Sequence, residues 1–390
     1  MAAPAPAPAP DLVDDAVAEI LLRVPPSGPA VLARASAVCK SWRRVLSDPV
    51  FPRRYRAFHH GSPPPLLGFL RSSHHRARKA GGTAMFVPVE IHAPFLEPTF
   101  RCAPLDCRHG RVLLDTVGGK KGTLAVWDPI TGDHELLPEP NGGGPCCRSR
   151  SGAVLCAAAA SCGDDNHHRD CHGGRPYRVI FVGNTGDRDM VARAWVYSSE
   201  AAEWTPPASL LIDAYSSIER KRAVIVGNQV YFLLSIRMST RTAILKYDLG
   251  EHRLSAIRSP LEYNSKDAVV LMSMEDGSLG LAGIIGSTLE LWSRKVDSEG
   301  VAGWEQYKVI ELQNLLHIDR PYHRADVIGF AESVGVLLVE VDATVFMFEL
   351  RSGQVRRLSK PGHYYDVFPF TKFYVPDFPS SKLQFPAGAS

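Results

Sequence analysis

The residues from about position 62 onward repeat one pattern, in which a turn and an apolar strand are followed by a second strand that carries an aromatic side chain. The turn with its strand occurs in HGRVLLDT, VGNQVYFLLS, EDGSLGLAGII and ESVGVLLVEV. The second strand occurs in LAVWDP, AWVYSSE, AILKYDLG, LELWSRK and VFMFELRSG. Short β-branched and aromatic runs separated by Gly, Asn, Asp and Pro are typical of antiparallel hairpins. The sequence therefore predicts a large all-β domain.

The aromatic residues of the second strands give the length of the repeat. Successive aromatics are separated by 70, 50, 45 and 56 residues, and they are Trp127, Tyr197, Tyr247, Trp292 and Phe348. A unit of about 50 residues with several strands is typical of the blade of a kelch-type β-propeller, whereas a β-sandwich has no such longer unit. We interpret the small and polar residues within the longest interval as a loop inserted between two strands of one blade. A β-propeller of about six blades is predicted.

A different, helical pattern occupies residues 11–58. The stretch LVDDAVAEILLRV predicts a first helix, which the pair Pro25 and Pro26 ends because proline cannot continue a helix. A second short helix is expected around residues 29–35, with its proline in the first turn. The third is expected within ASAVCKSWRRVLSDPVF, residues 35–51. The sequence thus predicts a small all-α module of three short helices ahead of the β domain.

These helices carry more apolar surface than they can bury among themselves. Domains of fewer than about 50 residues bury only about 60% of their chain surface and are marginal alone. In the third helix one face of the predicted wheel is apolar, and it contains Val38, Cys39, Trp42, Val45 and Leu46. The opposite face carries Lys40, Arg43 and Arg44. A partner helix or domain is therefore expected to cover part of the apolar surface.

The stretch DLVDDAVAEILLRVPPSGPAVLARASAVCKSWRRVLSDPVF resembles an F-box over its whole length. The resemblance rests on the leading Leu, the EIL run, the Pro pair, the VCKSWR core and the closing DPVF, in that order. It implies docking on a Skp-type adaptor that joins a cullin in an SCF ubiquitin ligase. The family has Leu-Pro where this chain has Leu12 and Val13, and Gly28 with Pro29 alters the segment before the second helix.

Transferred to this chain, the resemblance assigns nine residues to the adaptor interface or to the layer directly beneath it. They are Leu12, Ile20, Leu21, Leu22, Val24, Leu32, Val38, Cys39 and Trp42.

The segments CRHGRVLL and LAVWDPITGDHELLPEP resemble the first blade of plant F-box proteins that carry a propeller-like F-box-associated domain. Pro129, Thr131 and Gly132 fit a tight turn between outer strands, with Trp127 packed between blades. The resulting division is a disordered Ala-Pro tail (1–10), the F-box module (11–58), a basic linker with the start of the β region (59–80), the propeller-like domain (81–378) and a flexible tail (379–390). The resemblance implies a non-catalytic substrate receptor whose β domain binds a target protein for ubiquitination.

Charge leaves a nucleic-acid-binding alternative, although the formal net charge is only +3. The cationic residues are concentrated between positions 40 and 79, where aromatic residues for base stacking are few. They are Lys40, Arg43, Arg44, Arg53, Arg54, Arg56, Arg71, Arg76, Arg78 and Lys79, with His59, His60, His74 and His75. A solvated face or linker explains most of them.

Signals for a metal or an enzyme are weak. Cys and His residues are natural zinc ligands, but the C-x4-H-H-x2-C-H cluster has no second ligand pair at the usual spacing; it contains Cys162, His167, His168, Cys171 and His172. The run GGKKGT (118–123) lacks the P-loop spacing, and GxSxG and HExxH do not occur. We therefore expect no cofactor and no catalytic residue. A propeller enzyme or carbohydrate-binding protein, with polar residues converging at the central channel, is the other alternative.

The eight cysteines are irregularly spaced, and no segment reaches the roughly 18 apolar residues of a membrane span. The N-terminus also lacks the pattern of a signal peptide. An intracellular protein of the cytoplasm or nucleus is expected.

Overall fold

The computed structural model describes residues 13–26, 29–59, 64–72, 84–89, 96–116, 124–140, 149–157, 176–185, 191–213, 216–236, 241–262, 269–316, 324–358, 364 and 367–372. The chain forms two compact units. One contains the helical N-terminal residues up to Pro65 together with the residues from Lys372 onward, and the other spans Leu66–Thr371. Within the described ranges, no helix is long and apolar enough to cross a membrane.

The described part of the helical unit contains four short helices, one more than the sequence predicted. They are α1 (Asp14–Leu22), α2 (Pro29–Ser36), α3 (Lys40–Leu46) and α4 (Phe51–Phe58). A turn at Asp48 separates the last two, because its carboxylate accepts a hydrogen bond from the Val50 amide at 2.8 Å and its carbonyl accepts one from Phe51. The predicted third helix corresponds to α3 alone, and α4 is a fourth helix that the sequence analysis did not predict.

The beginning of the predicted third helix is also different. Val38 lies in a turn, and Cys39 is the N-cap of α3, with an extended backbone at φ −158°. Both side chains are exposed, so they are not part of the apolar face that buries Leu46. A residue at an N-cap has non-helical dihedral angles, and its side chain leaves the direction that the helical wheel assigns to it.

The second unit begins with β1 (Leu66–Ser72) and β2 (Ala84–Pro88). Blade 1 contains β3 (Cys102–Arg108), β4 (Arg111–Thr116), β5 (Leu124–Trp127) and β6 (His134–Leu136). Blade 2 contains β7 (Arg150–Cys156), β8 (Tyr177–Thr185), β9 (Val191–Ser198), β10 (Glu203–Trp204) and β11 (Ala208–Leu211). Blade 3 contains β12 (Ser216–Ile218), β13 (Val224–Val226), β14 (Gln229–Ile236), β15 (Arg241–Asp248) and β16 (Arg253–Glu262).

Blade 4 contains β17 (Val269–Ser273), β18 (Leu279–Ile285), β19 (Thr288–Val296) and β20 (Ala302–Glu311), and α5 (Leu312–Leu316) follows it. Blade 5 contains β21 (Ala325–Ala331), β22 (Val336–Val341), β23 (Thr344–Glu349) and β24 (Val355–Arg357). The last strand, β25 (Phe368–Thr371), pairs with β1, and β1 pairs with β2. These three strands form the closing blade.

The six sheets form a six-bladed β-propeller. The inner strands contact the neighbouring blade in the order β25, β3, β7 and β12; β13 of the same blade then contacts β17, and the series continues to β21 and back to β25. These strands are therefore innermost, and the closing blade joins the beginning of the unit to its end. Antiparallel pairing of Leu70 with Phe368 and of Phe69 with Pro369 closes the ring.

Both faces of each middle strand are buried, which explains the uninterrupted apolar runs in the sequence. In β14, Val230, Phe232 and Leu234 pack against blade 2, whereas Tyr231 and Leu233 pack against blade 4. Stacked sheets of this kind leave no polar face on their central strands.

The predicted repeat is confirmed at the level of single residues. Counted from the innermost strand in the order of hydrogen-bonded neighbours, each of the five aromatic markers lies on the third strand of its blade, opposite an aliphatic residue of the second strand. The pairs are Val112 with Trp127, Val179 with Tyr197, Val230 with Tyr247, Leu281 with Trp292, and Leu337 with Phe348. The markers therefore occupy equivalent positions in blades 1 to 5.

The turn predicted after Trp127 is also present. Strands β5 and β6 are the two outer strands of blade 1, and the Gly132 amide donates to the Asp128 carbonyl at 2.9 Å between them. Gly132 has φ +80°, a left-handed conformation that glycine adopts without strain. The predicted inserted loop lies between the paired strands β7 and β8 of blade 2, and its residues 158–175 lie outside the described ranges.

Closure of the ring predicts a large loss of stability for Phe370→Ala. Phe370 of β25 is fully buried, and its ring lies 5.8 Å from that of Phe86, an edge-to-face contact within the closing blade. Loss of a buried aromatic side chain should lower the free energy of unfolding by about 3 to 5 kcal/mol. Leu211→Ala, at an exposed strand residue, should change it by less than about 0.5 kcal/mol. Denaturant unfolding of both variants measures this, and equal losses would contradict the closing role of β25.

Candidate functional site

The helical unit has a small apolar core whose main residues are buried from solvent. Its buried residues come from all four helices and are Val17, Leu21, Leu22, Leu32, Ala35, Leu46, Phe51 and Tyr55. The Tyr55 hydroxyl donates to the Val24 carbonyl at 2.7 Å, and the His59 ring nitrogen Nε2 lies 2.8 Å from the Leu22 carbonyl oxygen. These contacts join α4 to the end of α1.

The structure divides the nine residues assigned to the adaptor interface into three groups. Leu21, Leu22 and Leu32 are buried in the core, and Val24 and Trp42 are half-buried against it. Ile20, Val38 and Cys39 are exposed, with Ile20 at 45% and Val38 at 64%. Leu12 lies outside the described residues. The exposed members are therefore Ile20, Val38 and Cys39, whereas the five others that the structure describes are buried or half-buried.

Two carboxylates of α1 form ion pairs with the basic helices. Asp14 accepts a hydrogen bond from the Ser41 hydroxyl at 2.6 Å and pairs with Arg44, and Glu19 pairs with Arg54 at 3.0 Å. The Ser41 hydrogen bond and Arg44 hold the pKa of Asp14 below its usual value. Arg44 and Arg54, which the sequence placed on a solvated face, thus belong to ion pairs between helices.

The second unit contains a network of buried charges where its innermost strands meet. Arg108, at the end of β3, donates to Glu332 at 2.7 Å and to Asp106 at 3.2 Å. Arg222 donates to Glu332 at 3.1 Å and lies 3.7 Å from Asp106. The Arg108 guanidinium also donates to the Ala223 carbonyl. These groups come from blades 1, 3 and 5, so the network crosses the centre of the propeller.

A second ion cluster joins blades 1, 2 and 3. Arg150 and Arg220 both donate to the same oxygen of Asp115, at 2.9 and 2.8 Å. The Val154 amide of β7 donates to Asp106 at 2.9 Å and so connects blade 2 to the first cluster. The inner strands are therefore joined by side chains as well as by apolar packing.

The electrostatics of this network oppose acid-base chemistry. Burial alone would raise the pKa of Glu332, but Arg108 and Arg222 more than offset that effect and lower it to about 2. A carboxyl group with such a pKa remains ionised at neutral pH and cannot act as a general acid. Burial, together with Asp106, strongly raises the pKa of the Cys107 thiol. That thiol stays protonated and is a poor nucleophile.

Comparison with known proteins identifies the family. Residues 104–378 match the family model described as "F-box protein AT5G49610-like, beta-propeller", and residues 10–54 match the F-box domain model. The chain belongs to the AT5G49610-like F-box proteins. The resemblances noted in the sequence, to an F-box and to the plant class with a propeller-like domain, are thereby confirmed.

A curated relative is "Putative F-box protein At3g16210" of Arabidopsis thaliana, 23% identical over 254 residues. The match covers 65% of this chain and 61% of the relative, so the chain spans less than two thirds of that relative's length.

Two solved structures are similar at low TM-score. One is a DUF4784 family protein from Bacteroides caccae, with 9% identity, a TM-score of 0.46 and coverage of 79% of this chain and 74% of the other. The other is an apocarotenoid oxygenase from Synechocystis, with 11% identity, a TM-score of 0.39 and coverage of 73% and 65%.

Sequence reasoning missed the charge network of this F-box protein. The sequence displays no polar residues that converge at the propeller centre, whereas the structure brings Asp106, Arg108 and Glu332 together there. Arg108 and Glu332 are 224 residues apart in the chain, and no local motif joins them. The available signal was positional, since Asp106 and Arg108 end an inner strand and Glu332 follows one.

The metal and phosphate signals of the sequence remain untested in the F-box protein. The cluster Cys162 to His172 and the GGKKGT run lie outside the described residues. In the part of the chain that the structure describes, no group of three or more Cys, His, Asp or Glu side chains could hold a metal ion.

The lowered pKa of Glu332 predicts that Glu332→Gln destabilises the propeller in a pH-dependent way. The carboxylate stabilises the fold above its ordinary pKa of 4.5, and this contribution is lost as the pH falls towards about 2. At pH 7 the free energy of unfolding should fall by about 3 kcal/mol, because Arg108 and Arg222 lose a buried partner. The difference from wild type should shrink between pH 4.5 and pH 3, as measured by denaturant unfolding.

Glu275→Gln is the matched control, since Glu275 pairs with Arg351 at 2.7 Å on the exposed surface. That variant should change stability by less than about 1 kcal/mol. A constant, pH-independent deficit in Glu332→Gln would contradict the electrostatic account.

Proposed function

We propose that this F-box protein is the non-catalytic, substrate-recruiting subunit of an SCF-type ubiquitin ligase. The F-box docks on a Skp-type adaptor, which connects it to a cullin, and the propeller binds a target protein. Such a role belongs inside the cell, in the cytoplasm or the nucleus.

The observation that carries the proposal is the exposure of Ile20 and Val38 in a unit where five of the assigned interface residues are buried or half-buried. Ile20 lies on α1 beside the buried Leu21, and Val38 precedes α3. Exposed aliphatic residues over a rigid support are what a helical partner can cover. Full burial of each would contribute about 1.5 to 3 kcal/mol. The F-box match of residues 10–54 supports a Skp-type adaptor as that partner.

The proposed mechanism is proximity. A target held on the propeller is presented at high effective concentration to the ubiquitin-conjugating enzyme that the cullin recruits. No chemistry is then required from this chain. The inert character of Cys107 and the ionised state of Glu332 agree with this role, as does the pairing of the central charges with one another.

The test is co-purification of the full chain with a Skp-type adaptor and a cullin. We expect the double variant Ile20→Asp, Val38→Asp to lose at least tenfold in adaptor affinity, because two carboxylates would be desolvated at the interface. Both positions are exposed, so the helical unit should still fold, and circular dichroism checks this. Leu21 is unsuitable for the same change because it belongs to the core.

Phe58→Asp is the matched control. Phe58 is an exposed apolar residue of the same helical unit, but it lies beyond the F-box match. This variant should bind the adaptor like the wild type. Failure of the wild-type chain to bind, or equal binding by the double variant, would overturn the proposal.

A further inference from the structure

Strand β20 is an unusually long and open outer strand of the propeller. It has ten residues, whereas the outer strands β6, β10 and β24 have three, two and three. The equally long β16 is in contact with β11 of blade 2. Among the described residues, β20 pairs only with β19. Its outer edge therefore presents a row of backbone donors and acceptors to solvent.

The edge is rigid and carries exposed apolar side chains. Tyr307 is 62% exposed and Val309 is 50% exposed. The Trp304 indole donates to the Arg258 carbonyl at 2.9 Å, and the Arg294 guanidinium lies over the Trp304 ring. These contacts fix the strand to blade 3 and to its own blade. A preorganised edge of this kind can add a further strand with little loss of conformational entropy.

A β-bulge at Tyr307 sets the faces on which the charged residues of β20 lie. Glu305 is opposite Ser293, and Lys308 is opposite Leu291. Because Leu291 and Ser293 are two residues apart on β19, their side chains share a face. Glu305 and Lys308 consequently share that face, although they are three residues apart. In a regular strand they would lie on opposite faces.

The same register applies to the apolar residues. Trp304 is opposite Arg294 and Val309 is opposite Glu290, which are four residues apart on β19. Trp304 and Val309 therefore share the other face of β20. The strand is thus symmetric about the position between Gln306 and Tyr307.

We propose that β20 pairs antiparallel with β20 of a second copy of this chain. In the register centred between Gln306 and Tyr307, Glu305 lies opposite Lys308 of the other copy, and the symmetry repeats this pair. Trp304 lies opposite Val309 in the same way. Directly opposite residues of antiparallel strands are in side-chain contact, so both pairs stabilise the dimer. The two blades become one continuous eight-stranded sheet.

The complementary charges of Glu305 and Lys308 favour a second copy of β20 as the partner strand, and they favour this register. A register centred on Glu305 or on Lys308 would place two like charges opposite each other, which is destabilising. Exposed charges and a bulge ordinarily prevent an edge from pairing at random. The register centred between Gln306 and Tyr307 is the one that places Glu305 opposite Lys308 in both symmetric contacts. The contact is smaller than a standard interface, so the dimer should form in a concentration-dependent way.

The test is sedimentation velocity of the full chain over a range of concentrations at low salt. The wild type should show a monomer–dimer equilibrium. Lys308→Glu and Glu305→Lys should each weaken dimerisation by roughly tenfold, because each places like charges across the two symmetric contacts. The double variant Glu305→Lys, Lys308→Glu should dimerise like the wild type. Arg356→Glu, on the exposed strand β24, is the matched control and should have no effect.

A mixture of the two single variants gives a second readout. One variant carries two cations and the other two anions at the proposed contacts, so the mixture should form a heterodimer with wild-type affinity. A wild type that stays monomeric at all concentrations would overturn the proposal, as would single variants that are not rescued by mixing. If the wild type is monomeric, the alternative partner for the β20 edge is an extended segment of another protein. None of these outcomes depends on adaptor binding.

Discussion

The fold depends on the pairing of β1 with β25. Every blade of the ring buries both faces of its central strands against its neighbours. The apolar residues of each blade are therefore excluded from water only when the ring is closed. Pairing of Leu70 with Phe368 provides that closure between the beginning and the end of the propeller. The ion network at the centre adds to it, because Arg108 and Arg222 connect blades that are not neighbours.

Features that repeat along this chain were predictable from its sequence, whereas contacts between residues far apart in the chain were not. Aromatic residues such as Trp127 and Tyr247 occupy one register position on the third strand of their blades. A repeat of this kind can be recognised from the order of residues alone. The fourth helix was missed at Asp48, whose carboxylate accepts a hydrogen bond from the Val50 amide in the turn between α3 and α4. The charge network was missed because Glu332 meets Arg108 only after five blades have formed.

The candidate site was predictable to a similar extent. The order of motifs predicted the F-box, and the family match confirmed it. The sequence could not separate core from surface among the assigned residues. Leu21 and Ile20 are adjacent and both aliphatic, yet one is buried and the other exposed, because α1 is covered by α3 and α4 along one side only. The helical wheel likewise failed for Cys39, since an N-cap residue is not helical.

The proposed function assigns adaptor docking to the helical unit and target binding to the propeller. In the proposed scheme, exposed residues of the helical unit contact the adaptor, while the propeller supplies a closed scaffold whose loops are free to vary. Catalysis by this chain is unnecessary in such a scheme, and the charges at the propeller centre, which pair with one another, then contribute to stability.

Hydrogen exchange of the full chain, with and without a Skp-type adaptor, tests the central claim most directly. Backbone amides of α1 to α3 exchange through local opening, and a bound partner slows that opening. The account predicts that the adaptor protects residues 13–46 and leaves the strands of blades 1 to 5 unchanged. Protection confined to the propeller, or no protection at all, would contradict it.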